Sequence, residues 1–419
     1  MFDIKVQYCI FELVDKIMIL KNIIASVAEA QKANLSALEP GLARAALDKL
    51  PDITSHALIV SGVRRCGKST LLHQLLREKH PDAFYLNFED TRLYEFEPSD
   101  FIRLDSLVTD MNQTVLFFDE IQIVDRWETY VRQKLDEGCK IVITGSNASL
   151  LSRELGTKLT GRQITKELFP FSYTEFCTYR NAPPSANATR DYMATGGFPE
   201  YVKSGLEEIM HHLFEDILIR DIAVRYGVRD VRTLQRLALY LVSNVGRLIT
   251  GNRLKTMFEA GSTSTVMDYL SYFEYTYLFH FVPKFSYSLR KQLINPRKVY
   301  AIDTGLVNAN SGSFTDDFGA VFENLVFLHL RRNYQEIYYF SEKSECDFVV
   351  SERGTVRQVV QVCYDLNHDN MDRELKGLFE AIAHFGLKEG TLVTFNQTDE
   401  FERDGVKARV VPAHQYLAE

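Results

Sequence analysis

Between residues 57 and 70 an apolar run, Ala57 to Val60, passes through Ser61 into Gly62, Val63, Arg64, Arg65, Cys66, Gly67, Lys68, Ser69 and Thr70. The spacing G-x-x-x-x-G-K-[ST] predicts a buried strand, a glycine loop and a helix, because Gly62 and Gly67 let successive backbone N–H groups turn toward one anion. Leu71, Leu72, Leu75 and Leu76 follow at helical spacing, so the loop opens the positive end of a helix dipole. In this reading residues Gly62 to Thr70 form a nucleotide phosphate cradle. Lys68 reaches the terminal phosphates, and the Ser69 hydroxyl ligates Mg2+. The competing reading is an ordinary glycine-rich turn, which needs neither the strand before it nor the helix after it.

A second apolar run, Val115 to Phe118, ends in Asp119 and Glu120. A buried parallel strand has this form, with its carboxyl end facing a ligand crevice. Asp119 is the expected Mg2+ partner and Glu120 the residue that polarises the attacking water. A third run, Lys140 to Thr144, leads to Ser146 and Asn147. Both are candidates to sense the terminal phosphate or the water, and Asn147 serves equally well as the N-cap of a helix starting at Ala148.

The chain has 419 residues, 46% apolar and 25% charged, with no low-complexity tract. That composition suits a soluble globular protein of roughly three domains. Cys9, Cys66, Cys139, Cys177, Cys346 and Cys363 show no C-x-x-C spacing, which points to a reducing cytoplasm rather than to a zinc site or disulfide framework. Residues 8–28 look apolar, but Glu12, Asp15, Lys16 and Lys21 interrupt them. An amphipathic helix is expected there, not a membrane span or signal peptide. Either Met1 or Met18 is the expected start.

Seven segments together resemble the prokaryotic AAA-type ATPases: Gly62 to Thr70, Asn87 to Asp90, Phe118 to Gln122, Thr144 to Ser146, Leu159 to Arg162, Phe171 to Phe176, and Gly196 to Pro199. The resemblance spans nearly all of the chain after about residue 35. It implies an α/β architecture of five parts. Residues 1–50 are an N-terminal helical segment, 51–165 a P-loop core with a parallel sheet, 166–225 a helical lid, 226–310 a winged-helix segment, and 311–419 a mixed α/β domain similar to PD-(D/E)XK nucleases. It further implies ATP as the nucleotide, and Arg162 as an arginine that offsets charge on the transferred phosphoryl group in its own or a neighbouring subunit. A structural salt bridge is the other reading of Arg162. Arg64 and Arg65 are expected to pair with Glu89 or Asp90.

From Arg220 to Lys255 eight basic residues face two acids, and Lys284 to Lys298 holds five basic residues and no acid. Helices are expected over residues 233–242 and 263–274, the second with a Ser/Thr-rich start suited to phosphate contact or capping. A hairpin over 284–298, with aromatics between cations, would act as a wing on a nucleic-acid backbone through Arg290, Lys291, Arg297 and Lys298. The formal net charge of −8 opposes this reading, because DNA binding is driven by phosphate neutralisation.

Toward the carboxy terminus Glu323 lies on an apolar-periodic helix, and Asp347 and Gln361 lie on strands. By the nuclease resemblance these three are a possible second metal site. Cys363 stands where that scheme requires a lysine, so a domain that recognises without cutting is expected unless Lys343 or Lys376 reaches the acids. Three activities therefore compete: an ATP-driven switch acting on DNA, an ATPase acting on or sensing a protein partner, and an ATP-dependent nuclease. Oligomers are compatible with each.

Overall fold

The computed structural model describes residues 19–146, 159, 161–312 and 317–419. The start of the expected N-terminal helix, both candidate start residues and Asn147 lie outside them. The chain divides into two compact units, residues 1–61 with 68–168, and residues 62–67 with 169–419.

The first unit is built on a parallel sheet. Helix α1 (Lys21–Ala37) precedes β1 (Ala57–Ser61), and α2 (Lys68–Lys79), β2 (Phe84–Asn87), α3 (Phe101–Asp110), β3 (Val115–Asp119), α4 (Trp127–Asp136), β4 (Lys140–Gly145) and β5 (Gln163–Glu167) follow. The strand order is β2-β3-β4-β1-β5. Parallel strands covered on both faces read as unbroken apolar runs, which is why all five residues of β1 are buried. Ile59, Leu86, Phe118 and Ile143 meet in one core with Phe88, Phe101 and Tyr130, and the Phe101 and Tyr130 rings stack at 4.6 Å. The edge strand β2 is closed by a side chain. The Gln31 amide accepts from Asn87 N at 2.8 Å and donates to Asn87 O at 3.0 Å, supplying the backbone pairing that an edge lacks. The register pairs Asn87 with Asp119 and Ser61 with Gly145, so the carboxyl ends of four strands share one rim.

The second unit begins with short helices, Tyr173–Tyr179, Ala186–Thr195, Pro199–Ser204 and Glu208–Asp216, the last running into a π-helical stretch, Ile217–Val224. Next come α5 (Val231–Val242), β6 (Leu248–Ile249), α6 (Gly251–Phe258), α7 (Thr263–Tyr275), β7 (Phe279–Pro283), α8 (Leu289–Ile294) and β8 (Arg297–Ala301). The three strands form an antiparallel sheet in the order β6-β8-β7. The expected simple hairpin between β7 and β8 is instead closed by α8. Leu289 to Ile294 are good helix formers set between Pro283 and Pro296, and the Gln292 side chain donates to Ser286 O at 2.6 Å. The Ser/Thr-rich start of α7 is a cap, with Ser262 Oγ accepting from Thr265 N at 3.0 Å.

A second, mixed sheet closes the chain. Helix α9 (Phe318–Asn333) leads to β9 (Glu336–Ser341), β10 (Glu345–Glu352), β11 (Thr355–Cys363), α10 (Met371–Phe385), β12 (Glu389–Thr394), β13 (Asp399–Arg403) and β14 (Val406–Pro412). The order is β13-β14-β12-β11-β10-β9. Leu378, Ala381 and Ile382 of α10 pack on Val349, Val359 and Leu392 of the sheet. Polar side chains lock this unit together. The Asn324 amide on α9 accepts from Ala301 N at 2.7 Å and donates to Ala301 O at 3.0 Å. Asp303 accepts from Gly197 N at 2.6 Å and from Leu306 N at 3.1 Å, and burial pushes its carboxyl up to about 6. This contact explains the Gly196-Gly197 pair. A Cβ on Gly196 would fall 2.1 Å from Asp303, and one on Gly197 2.2 Å from Phe171 O.

Two histidines in this unit are held neutral. Burial lowers His280 to about 3 and His329 to about 4, and among the described residues His280 Nε2 has no hydrogen-bond partner. Their native values lie below the unfolded value near 6.5, so their contribution is complete above pH 6.5 and is lost as pH falls toward 4. Thermal melts should show stability dropping across that window by up to about 1.4 kcal/mol per pH unit for each histidine. His280→Phe, against Phe327 at 5.5 Å, should flatten the slope. An equally steep acid slope in His280→Phe would refute the assignment.

Candidate functional site

The glycine loop folds as its sequence dictates. Gly62 and Gly67 adopt φ of 151° and 101°, and Arg65 between them takes 63°, a left-handed conformation costly for a side chain. The first turn of α2 then presents Lys68 and Ser69. Asp119 ends β3 with 0% exposure. It accepts from the Thr144 hydroxyl, from Tyr85 Oη at 3.1 Å and from Ser69. Burial raises its carboxyl, and these hydroxyls together with the Lys68 charge oppose the rise. Tyr85 also meets His73 Nε2 at 3.3 Å, and burial lowers His73 to about 4, leaving the imidazole neutral.

Glu120 follows Asp119 in the left-handed region, φ 53° and ψ 35°. Non-glycine residues held there concentrate at functional positions. Its N–H donates to Thr144 Oγ1 at 3.2 Å, its Oε1 lies 4.0 Å from Lys68 Nζ, and its Oε2 accepts from Gln122 Nε2. Lys68, Ser69, Asp119 and Glu120 thus converge on the carboxyl rim of the sheet, and Ser146 is buried after β4. A cavity of about 530 Å³ opens beside Ser69 and Thr70, lined also by Leu35, Pro40 and His73 among others. A buried carboxylate, a hydroxyl bonded to it and an adjacent ammonium form a donor set suited to a hydrated divalent cation and a phosphate. The sequence reading missed Tyr85, Thr144, His73 and Gln122. Only Thr144 and Gln122 had a signal, as neighbours of Ser146 and Glu120.

The arginines named from the sequence are held by acids. Arg162 pairs with Asp136 at 2.6 Å. Arg64 Nε lies 3.1 Å from Asp221, and Arg65 reaches Asp216 at 3.3 Å and Glu200 at 3.5 Å. Asp90 is engaged locally by Arg92 at 2.7 Å, an i, i+2 pair that a short loop favours.

In the second unit Glu323, Asp347 and Gln361 do come together, around an unforeseen cation. Lys298 on β8, with its side chain 4% exposed, lies 2.8 Å from Asp347, 2.8 Å from Glu345 and 3.1 Å from Glu323. Burial pulls the ammonium down, but Asp347, Tyr300, Glu323 and Glu345 outweigh it and hold the group well above its usual value. Burial and Asp347 push Glu323 up to about 7. Gln361 Oε1 accepts from Asp347 N at 3.2 Å, and its Nε2 donates to Glu374 at 2.5 Å. Among the described residues no group of three His, Cys, Asp or Glu is arranged to hold a metal. Lys298 is therefore not a surface cation of a wing. Lys343 and Lys376 line a 660 Å³ cleft together with Glu323, Asp347 and Gln361.

Residues 54–177 match the family described as AAA domain, and with the parallel sheet and glycine loop this defines an AAA-type P-loop ATPase domain. Residues 186–317 and 318–416 match two domains of unknown function, DUF8612 and DUF4143. The chain belongs to the family of the uncharacterized protein MJ1544 of Methanocaldococcus jannaschii, to which it is 33% identical over 372 residues, 82% of this chain and 83% of that one. An uncharacterized protein of Haemophilus influenzae is 29% identical over 84% of this chain and 92% of its own length. AMPPCP-bound DnaA from Aquifex aeolicus aligns over 55% of this chain and 84% of its own at 15% identity, with a TM-score of 0.25. Among the described residues no helix is long and apolar enough to cross a membrane.

Removing one partner of a buried ion cluster leaves the others uncompensated. Lys298→Met should lower stability in chemical denaturation by about 3 kcal/mol or more. Adding Glu323→Gln and Asp347→Asn should recover part of the loss. Full stability of Lys298→Met alone would show that the cage is not electrostatically coupled.

Proposed function

We propose that this protein binds and hydrolyses ATP with Mg2+ at the carboxyl rim of its parallel sheet. The observation that carries the reading is the fully buried Asp119, held by Ser69, Thr144 and Tyr85 beside the Lys68–Glu120 pair. Lys68 binds the β- and γ-phosphates, Ser69 and Asp119 hold the cation, and Glu120 orients the attacking water. The bound Mg2+ supplies charge neutralisation at the phosphates. The cavity lined by Leu35, Pro40 and His73 takes the nucleoside. Arg162, engaged with Asp136, is assigned to the phosphate charge of a second copy.

We read residues 226–310 as a winged-helix-like segment, supported by the order helix, strand, helix, helix, strand, helix, strand with the three strands in one antiparallel sheet. The last domain is taken as nuclease-like but non-cutting, because Lys298 neutralises Glu323 and Asp347. The target of the nucleotide cycle is read as a protein rather than DNA. Lys298 is internal, Arg220 pairs with Asp216, Arg247 with Asp317 and Lys284 with Glu342, and the net charge of −8 opposes phosphate neutralisation by the chain.

Lys68→Ala should lose both nucleotide binding and turnover. Glu120→Gln should keep binding while turnover falls by about a hundredfold or more. Turnover unchanged in both variants would sink the reading. DNA binding at low salt that depends on Arg290 and Lys291 would overturn the choice of a protein target.

A further inference from the structure

The Gln122 side chain lies beside the candidate water-activating carboxylate and has no role in the mechanism above. It sits on a single helical turn, Ile121–Ile123, anchored by the buried Ile121 and Val124 and closed by Val124 N donating to Ile121 O at 3.0 Å. From there its Nε2 donates to Glu120 Oε2. The other half of the amide faces β4. A Cβ added to Gly145 would stand 2.8 Å from Gln122 Oε1, with the three nearest atoms all belonging to Gln122. Among the described residues that oxygen is buried without a hydrogen-bond partner, so the amide is oriented by its contact with Glu120 and by packing on Gly145.

We propose that Gln122 is a positioning residue for hydrolysis, clamping one oxygen of Glu120 so that the other faces the phosphate site. The inference rests on the reading of Glu120 as the residue that orients water. Glu120 Oε1 faces Lys68 at 4.0 Å, and Lys68 is the group that turns to phosphate when nucleotide binds. At that moment the ammonium no longer steers Glu120, and the Gln122 clamp on Oε2 keeps Oε1 directed at the space that Lys68 served. Gly145 completes the device, because any side chain there displaces the amide. Gly145 does not adopt a left-handed φ, so its lack of a side chain answers to this contact and not to the backbone.

The test compares Gln122→Ala, Gln122→Glu and Gly145→Ala, measuring kcat, KM and nucleotide-analogue affinity on the full chain. Gln122→Glu keeps the size and shape of the side chain but removes the donor, so it separates hydrogen bonding from packing. All three should lower kcat by about tenfold or more with affinity and melting temperature near wild type. The Gln122→Ala/Gly145→Ala pair should be no slower than Gln122→Ala alone. In a Glu120→Gln background the Gln122→Glu change should add nothing. Wild-type kcat in Gln122→Glu or Gly145→Ala, while Glu120→Gln is inactive, overturns this proposal and leaves the hydrolytic reading standing. A Glu120→Gln variant as fast as wild type overturns both.

Discussion

The first unit is organised around one buried carboxylate. Asp119 has no exposure, and an ion taken out of water must be met by donors or by a cation. The donors come from three directions: Tyr85 from the neighbouring strand β2, Thr144 from β4 on the other side, and Ser69 from the start of α2. This is possible only because β3 lies between β2 and β4 with all carboxyl ends on one rim. Strand order, loop and site are therefore a single constraint. The same Thr144 hydroxyl takes the N–H of Glu120, so the strained turn after Asp119 is held by the group that satisfies Asp119 itself.

The second unit solves the opposite problem. There a cation, Lys298, is buried, and carboxylates from α9 and β10 close over it. Because Lys298 lies on β8, this cluster ties the small antiparallel sheet to the larger mixed one, and Asn324 repeats the tie with neutral hydrogen bonds to Ala301. The acids that a sequence reading pairs with a metal are thus satisfied from within the chain. A lysine far away in sequence does what no residue near Cys363 does.

Local features were legible from sequence where one rule dominated. The apolar runs gave β1, β3 and β4, the glycine spacing gave the loop and α2, and leucine periodicity gave α5. Side-chain partners were not legible, because they are set by tertiary approach. Arg64 lies 157 positions from Asp221, and Lys298 lies 49 from Asp347. No spacing rule reaches that far. The hairpin tip failed for a different reason: cations between aromatics suggested an extended wing, whereas the twelve residues between Pro283 and Pro296 were enough to make the six-residue α8. At the candidate site the acids and the lysine were readable by motif. Tyr85 and His73 were not, since a tyrosine inside an apolar strand and a histidine on a leucine-rich helix look like ordinary core residues.

The arginines of the glycine loop carry a consequence for what counts as a functional part of this chain. Arg64 and Arg65 are anchored on Asp221, Asp216 and Glu200, all beyond residue 177, where the match to the AAA family ends. The shape of the loop is therefore specified jointly by its own glycines and by acids that a boundary drawn at the family match leaves out. A fragment cut at that boundary would keep every motif residue and lose the counter-charges that hold two of them.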